Sequence, residues 1–172
     1  MSKLVSDAVG ISGLHAGEDV NDPAVPDFSI RLEQEADYRF AVRFGDAVIP
    51  VLHTDEHPPL GGGTGPGPDD LLGAAVANCL ASSLLFAMRK FRNDPAPVRA
   101  QAALRKGRNE HGRLRIVEIL VELRIGLAGS QVQSLDRILA QFEDFCVVTQ
   151  SVRGGIPVTV RVLDRDGATI HG

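Results

Sequence analysis

Residues 68–91 read PDDLLGAAVANCLASSLLFAMRKF, an apolar run entered through Pro68, Asp69 and Asp70 and left through Arg89 and Lys90. Proline suits the first position of a helix, where its missing N–H is not needed, and acids before bases match the helix dipole. The stretch predicts one long helix ending near Phe91. Because it is apolar all round, it must be covered on every side, by protein or by lipid. Gly73, Asn78, Ser82 and Ser83 interrupt it, alanine makes up much of it, and no Trp or Tyr marks either end. Burial in protein is therefore expected, rather than a membrane span. Cys79, one of only two cysteines, lies at its middle.

Working outward, residues 53–67 carry the Pro and Gly content of a loop, and before them apolar residues alternate with polar ones. Phe28, Ile30 and Leu32, then Tyr38, Phe40, Val42 and Phe44, predict two half-buried strands with Arg31, Glu33, Arg39 and Arg43 on the opposite faces. Gly45 and Asp46 then predict a turn into a strand over 48–52, at an edge because of Pro50.

Downstream, Val98, Ala100, Ala102 and Leu104 alternate again, 107–112 reads as a hairpin loop, and Val117, Ile119, Val121, Leu123 and Ile125 give one face of a long strand. Ser130 and Gln133 have capping-box spacing and predict a helix over 130–145 with the stripe Leu135, Ile138, Leu139, Phe142 and Cys146. Cys146 should point inward. Val158, Val160 and Val162 predict a final strand. Strands, long helix, strands, helix, strand is the order of an α+β fold with largely antiparallel sheets around a long buried central helix. One small sheet covers only one side of such a helix, so homodimerisation is expected to complete its burial.

Composition narrows the function. At 172 residues and 44% hydrophobic, the chain suits a single domain over 27–172, with 1–26 as an arm rich in Gly, Asp and Pro. Eighteen Lys and Arg against 22 Asp and Glu give a net charge of -4, and no basic block is interleaved with aromatics, so nucleic acid is not an expected partner. The first 17 residues contain no long apolar stretch of the secretory kind, and the expected location is cytoplasmic.

Two buried thiols are either inert packing or a redox pair. The segments GPGPDDLLGAAVANC (65–79), then FCVVTQS (145–151) and RGGIPV (153–158), resemble in this order the two cysteine motifs and closing strand of the OsmC/Ohr superfamily of thiol peroxidases, named for osmotic induction and organic hydroperoxide resistance. The similarity runs over about 28–165. It implies an OsmC-like, intertwined homodimer that reduces organic hydroperoxides, and hydrogen peroxide less well.

By this resemblance Cys79 is the peroxidatic thiol and Cys146 the resolving one. Cys79 would be oxidised to a sulfenic acid and Cys146 would condense with it as a disulfide. An ordinary thiol, with a pKa near ~8.5, is only slightly ionised at neutral pH, so a neighbouring cation is wanted. The family uses an arginine from the N-terminal strands and a glutamate before the long helix. Asp69 stands in the glutamate position, one methylene shorter; Arg39 is the better candidate for the arginine and Arg43 the second. The resemblance implies no bound cofactor and no metal, and an external dithiol or lipoylated protein as reductant.

If the helix is continuous from Asp69, about 15 Å of axial rise separates that carboxylate from Cys79. Asp69 then serves the partner's Cys79 across a dimer interface, or the first turn is irregular. The alternative function is an OsmC-fold protein that binds an apolar small molecule or senses redox state without efficient peroxidase activity. Other motifs are weak. His53 and His57 lack a third fixed metal ligand, the 61–65 glycine loop lacks a following Lys-Ser or Lys-Thr and instead shapes a pocket mouth, and Ser82 and Ser83 sit in a helix with no elbow.

Overall fold

The computed structural model describes residues 28–45 and 48–172. The predicted 1–26 arm and the Asp46 turn position lie outside them. Among the described residues seven strands form two sheets beside one long helix, the mixed α+β architecture expected from the order of elements.

The first sheet is an antiparallel meander, β1 (Ile30–Ala36), β2 (Arg39–Phe44) and β3 (Leu52–Thr54). Its register puts Leu32 opposite Val42 and Val42 opposite Leu52, so the alternating apolar residues share one face. Two predicted boundaries shift. Tyr38 sits in the β1–β2 turn, where Asp37 has φ 41, and the third strand starts only at Leu52, beyond Pro50. Proline cannot donate to a ladder, so pairing begins after it.

Helix α1 runs Pro68–Lys90, as predicted to within a residue. Asp70 caps it, accepting the Gly67 N–H at 2.8 Å and contacting His57 Nε2 at 2.8 Å. One face packs on the second sheet, in the order β4 (Arg99–Arg108), β5 (Leu114–Arg124), β6 (Val158–Leu163), β7 (Thr169–His171). Val76, Leu80, Leu84, Ala87 and Met88 from the helix meet Ile119, Val121, Leu123, Val160 and Val162 in one core. Gly73 permits the crossing over β4, since a Cβ there would lie 2.6 Å from Leu104 Cδ1. The opposite face of α1, with Ala74, Ala75, Asn78, Ser82 and Phe86, is exposed. Although α1 is long and apolar enough to cross a membrane, 44% of its most apolar window is buried against the chain's own core.

Two predictions need correction beyond β5, and two features there were not predicted. The helix expected over 130–145 is broken into a 3-10 turn (Gly129–Gln131), α2 (Leu135–Leu139), a second 3-10 turn (Phe142–Phe145) and α3 (Val147–Val152). The proposed box at Ser130 does not form. Gln131 instead accepts the Ala128 N–H, Asn93 accepts the Gln133 N–H at 2.8 Å, and Ser134 adopts the left-handed region at φ 58. The stripe nevertheless faces inward: Ile138, Phe142 and Cys146 are each 0% exposed. β6 pairs with β5 in parallel, because the helical segments between them carry the chain back to the same end of the sheet. β7, absent from the sequence reading, closes the edge behind the buried Asp164, which accepts the Gly129, Asp166 and Ala168 N–H groups.

Candidate active site

The two thiols, distant in sequence, meet where the middle of α1 passes the start of α3. Cys79 lies at the border of the helix's buried face, half-buried, and Cys146 is fully buried beside it. Both are reduced. Cys146 caps α3: its Sγ accepts the Thr149 N–H at 3.4 Å and its S–H donates to Thr149 Oγ1 at 2.9 Å. Burial pushes the Cys146 thiol up, the neighbouring Cys79 thiol adds to that rise, and the two Thr149 contacts oppose it. Cys146 is therefore kept as a neutral thiol.

The segment bearing Cys146 is clamped from behind. Glu143 holds Arg153 and, at 2.9 Å, His171 of β7, while its carbonyl accepts the Cys146 N–H at 3.1 Å. Phe142 meets the His171 ring edge-on at 5.4 Å. An apolar rim flanks the thiols on the open side. Phe86, two turns after Cys79 on the same helix face, meets Phe145 edge-on at 5.4 Å, and Lys90 Nζ lies 5.8 Å from the Phe145 ring centre. Phe86 and Val147 are 56% and 75% exposed.

The charged candidates sit elsewhere in the protomer. Arg39 donates to Glu35 Oε2 at 2.9 Å, and His53 approaches the same oxygen at 2.9 Å; with His53 as the larger cause, this holds the Glu35 carboxyl below its ordinary value. Arg43 is exposed on β2 opposite Arg31. Asp69 pairs with Lys106 of β4, and that carboxylate raises the lysine. Since α1 is continuous from Pro68, the ten-residue separation from Cys79 amounts to about 15 Å along the axis, and an irregular first turn is not the answer. The chain thus brings Cys79 and Cys146 together, and leaves Asp69 and Arg39 in ion pairs of their own.

The glycine loop has a structural purpose that the sequence reading missed. Asp55, 5% exposed, accepts the Gly62 N–H, the Thr64 N–H and the Thr64 hydroxyl. The Thr64 backbone contact comes first in holding its carboxyl low. A Cβ at Gly61 or Gly65 would lie 2.3 or 2.4 Å from the carbonyl oxygen of Glu56 or His53, so only glycine lets the loop wrap this closely. Thr149 was also missed, although its Cys-x-x-Thr spacing is that of a side-chain cap. The Glu143, Arg153 and His171 cluster left no local signal, since three separate elements contribute to it.

The family profile described as OsmC-like protein matches residues 61–161, a span that includes both thiols. No curated protein sequence matches the chain. Among solved structures, an OsmC-like protein of unknown function from Vibrio cholerae superposes with a TM-score of 0.69 at 14% identity, over 81% of this chain and 100% of that one. An organic hydroperoxide resistance protein from Elizabethkingia anophelis gives 0.63 at 16% identity, over 82% and 98%. The organic hydroperoxide resistance protein OhrB of Bacillus subtilis gives 0.58 at 15%, over 78% and 98%. A long helix laid on strands with a thiol at its middle, a second thiol on the return segment and a profile match across more than half of the chain agree: this protein belongs to the OsmC-like family.

Proposed function

We propose that the chain is a two-cysteine peroxidase for organic hydroperoxides, working as a homodimer in a reducing cytoplasm. The observation that carries the reading is that a half-buried Cys79 packs against the core cluster that contains the fully buried Cys146, close enough to perturb its thiol. The Cys79 thiolate attacks the terminal peroxide oxygen, the O–O bond breaks, and the leaving alkoxide takes up a proton to become the alcohol. Cys79 is now a sulfenic acid. The Cys146 sulfur attacks the Cys79 sulfur, forming the disulfide and releasing water. An external dithiol, free or carried on a lipoylated protein, returns both thiols to the reduced state. The exposed Phe86 and Val147 offer an apolar surface to the organic part of the substrate.

The homodimer supplies what one protomer lacks. The uncovered face of α1 and the β1 part of the apolar sheet face, Ile30 and Leu32, are both open, and a second copy covers both. Antiparallel packing of two α1 helices would also carry Asp69 of one copy toward Cys79 of the other, with Arg39 as the arginine of the assembled site.

The test is the intact mass of reduced protein, denatured and thiol-blocked, after one equivalent of an organic hydroperoxide. Rapid loss of both free thiols to an internal Cys79–Cys146 disulfide is expected. Cys79→Ser should lower peroxide consumption by at least about 100-fold while the fold and dimer persist. Two free thiols after long exposure would favour the second reading, a binding or redox-sensing protein. The pairing of Arg39 with Glu35 and of Asp69 with Lys106 is the observation on that side.

A further inference from the structure

Thiol–disulfide exchange depends on which sulfur is attacked and on how well the other leaves, and the surroundings of Cys146 bear on both. Cys146 is 0% exposed, whereas Cys79 is only half-buried, so an incoming thiolate reaches the Cys79 sulfur of a Cys79–Cys146 disulfide and Cys146 departs. A departing thiolate in a dry site has no water to solvate it and depends on fixed donors. Two such donors come from Thr149, itself 0% exposed: its N–H already donates to Sγ at 3.4 Å, and its hydroxyl, which accepts the S–H at 2.9 Å, is placed to turn and donate.

We infer that Thr149 is the leaving-group donor of the reductive half-cycle, holding the Cys146 sulfur as negative charge develops on it. In the reduced protein the thiol proton points to Thr149 Oγ1. A hydroxyl both accepts and donates, so when Cys146 leaves as a thiolate the Thr149 O–H turns and donates to it, alongside the backbone N–H. The exchange balances. The dithiol's thiolate bonds to Cys79 Sγ, the disulfide electron pair passes to Cys146 Sγ, and the thiolate then takes a proton from solvent. The second thiol of the reductant closes its own disulfide and frees Cys79. Burial, which on its own makes Cys146 a poor leaving group, is thereby offset at the one atom that must carry charge.

This inference rests on the two-cysteine reading but not on peroxide as the oxidant, and its experiment keeps the two apart. Wild type, Thr149→Val, Thr149→Ala and Thr149→Ser are oxidised to the disulfide with diamide, and reduction by excess dithiothreitol is followed by quenched alkylation and mass between pH 6 and 9. Thr149→Val, nearly the same shape without the hydroxyl, should be reduced about tenfold more slowly. Thr149→Ser should restore the wild-type rate. Thr149→Ala, with the N–H retained, should match the valine variant and serves in its place if valine disturbs the fold. Reduction of Thr149→Val at the wild-type rate, or of Thr149→Ser as slowly as Thr149→Val, overturns the assignment. Failure of diamide to join Cys79 and Cys146 in wild type overturns it too. A diamide disulfide that reduces as described, in a protein that hydroperoxide does not oxidise, supports the role of Thr149 and removes only the peroxidase reading.

Discussion

In β5, Ile119, Val121 and Leu123 are at most 2% exposed beneath α1, whereas in β1 Ile30 and Leu32 remain 46% and 62% exposed. Both strands alternate apolar and polar residues, and both pair with antiparallel neighbours. The difference lies in what the chain lays over them. The four-stranded sheet has a long helix of its own to close its core, while on the apolar face of the three-stranded sheet Val42 is covered but the β1 residues Ile30 and Leu32 are open within the protomer. Equal patterning therefore specifies that a face is to be buried, but not by which molecule.

The comparison is tested most strongly in the closed half. Leu123→Ala should cost about 2–5 kcal/mol in urea unfolding, because it opens a cavity among fully buried neighbours, and this cost should not depend on protein concentration. Leu32→Asp should leave the secondary structure of a protomer nearly unchanged but convert the proposed dimer to monomer in light scattering. A Leu32→Asp protein that remains dimeric would mean that the β1–β3 face is not the interface. Its mild counterpart, Leu32→Ala, should cost well under ~1 kcal/mol in dilute solution and more as concentration rises.

Acid acts on the loop and first turn at the N-terminal end of α1. Asp55 and Asp70 both lie below their ordinary value of 3.8 in the folded protein, chiefly through the backbone N–H groups of Thr64 and Gly67. Their stabilisation is complete above that value and is lost as pH falls through the lower folded-state values. Unfolding followed from pH 5 to 2 should therefore show a steep loss of stability in wild type and a shallower one in Asp55→Asn, which starts less stable at neutral pH. The smallest effect belongs to Lys106→Ala. It breaks an ion pair whose side chains are 55% and 39% exposed and screened by solvent, so the unfolding midpoint should barely move. A much larger change would show that Asp69 is held for more than local stability.

Much of this architecture could be read from residue order. The limits of α1 followed from Pro68, the acid pair and the base pair, and the inward direction of Cys146 followed from its stripe with Ile138 and Phe142. Those features are local: helix periodicity, capping and dipole act over a few residues. The expected continuous helix over 130–145 failed because Asn93, some forty residues away, takes up the backbone of Gln133. β7 and the parallel β5–β6 pair were likewise unmarked, since strand neighbours are chosen by the path of the chain between them.

The candidate site divides along the same line. The sequence by itself determined the two thiols, the helix that carries Cys79 and the family resemblance of the segments around them, because each is a property of contiguous residues. Only the tertiary structure decided that Cys79 packs beside the cluster holding Cys146, that Thr149 holds the buried sulfur, and that Asp69 and Arg39 are engaged with Lys106 and Glu35. Contacts between residues on different elements depend on how those elements pack, and packing is a sum over the whole core that no local pattern contains.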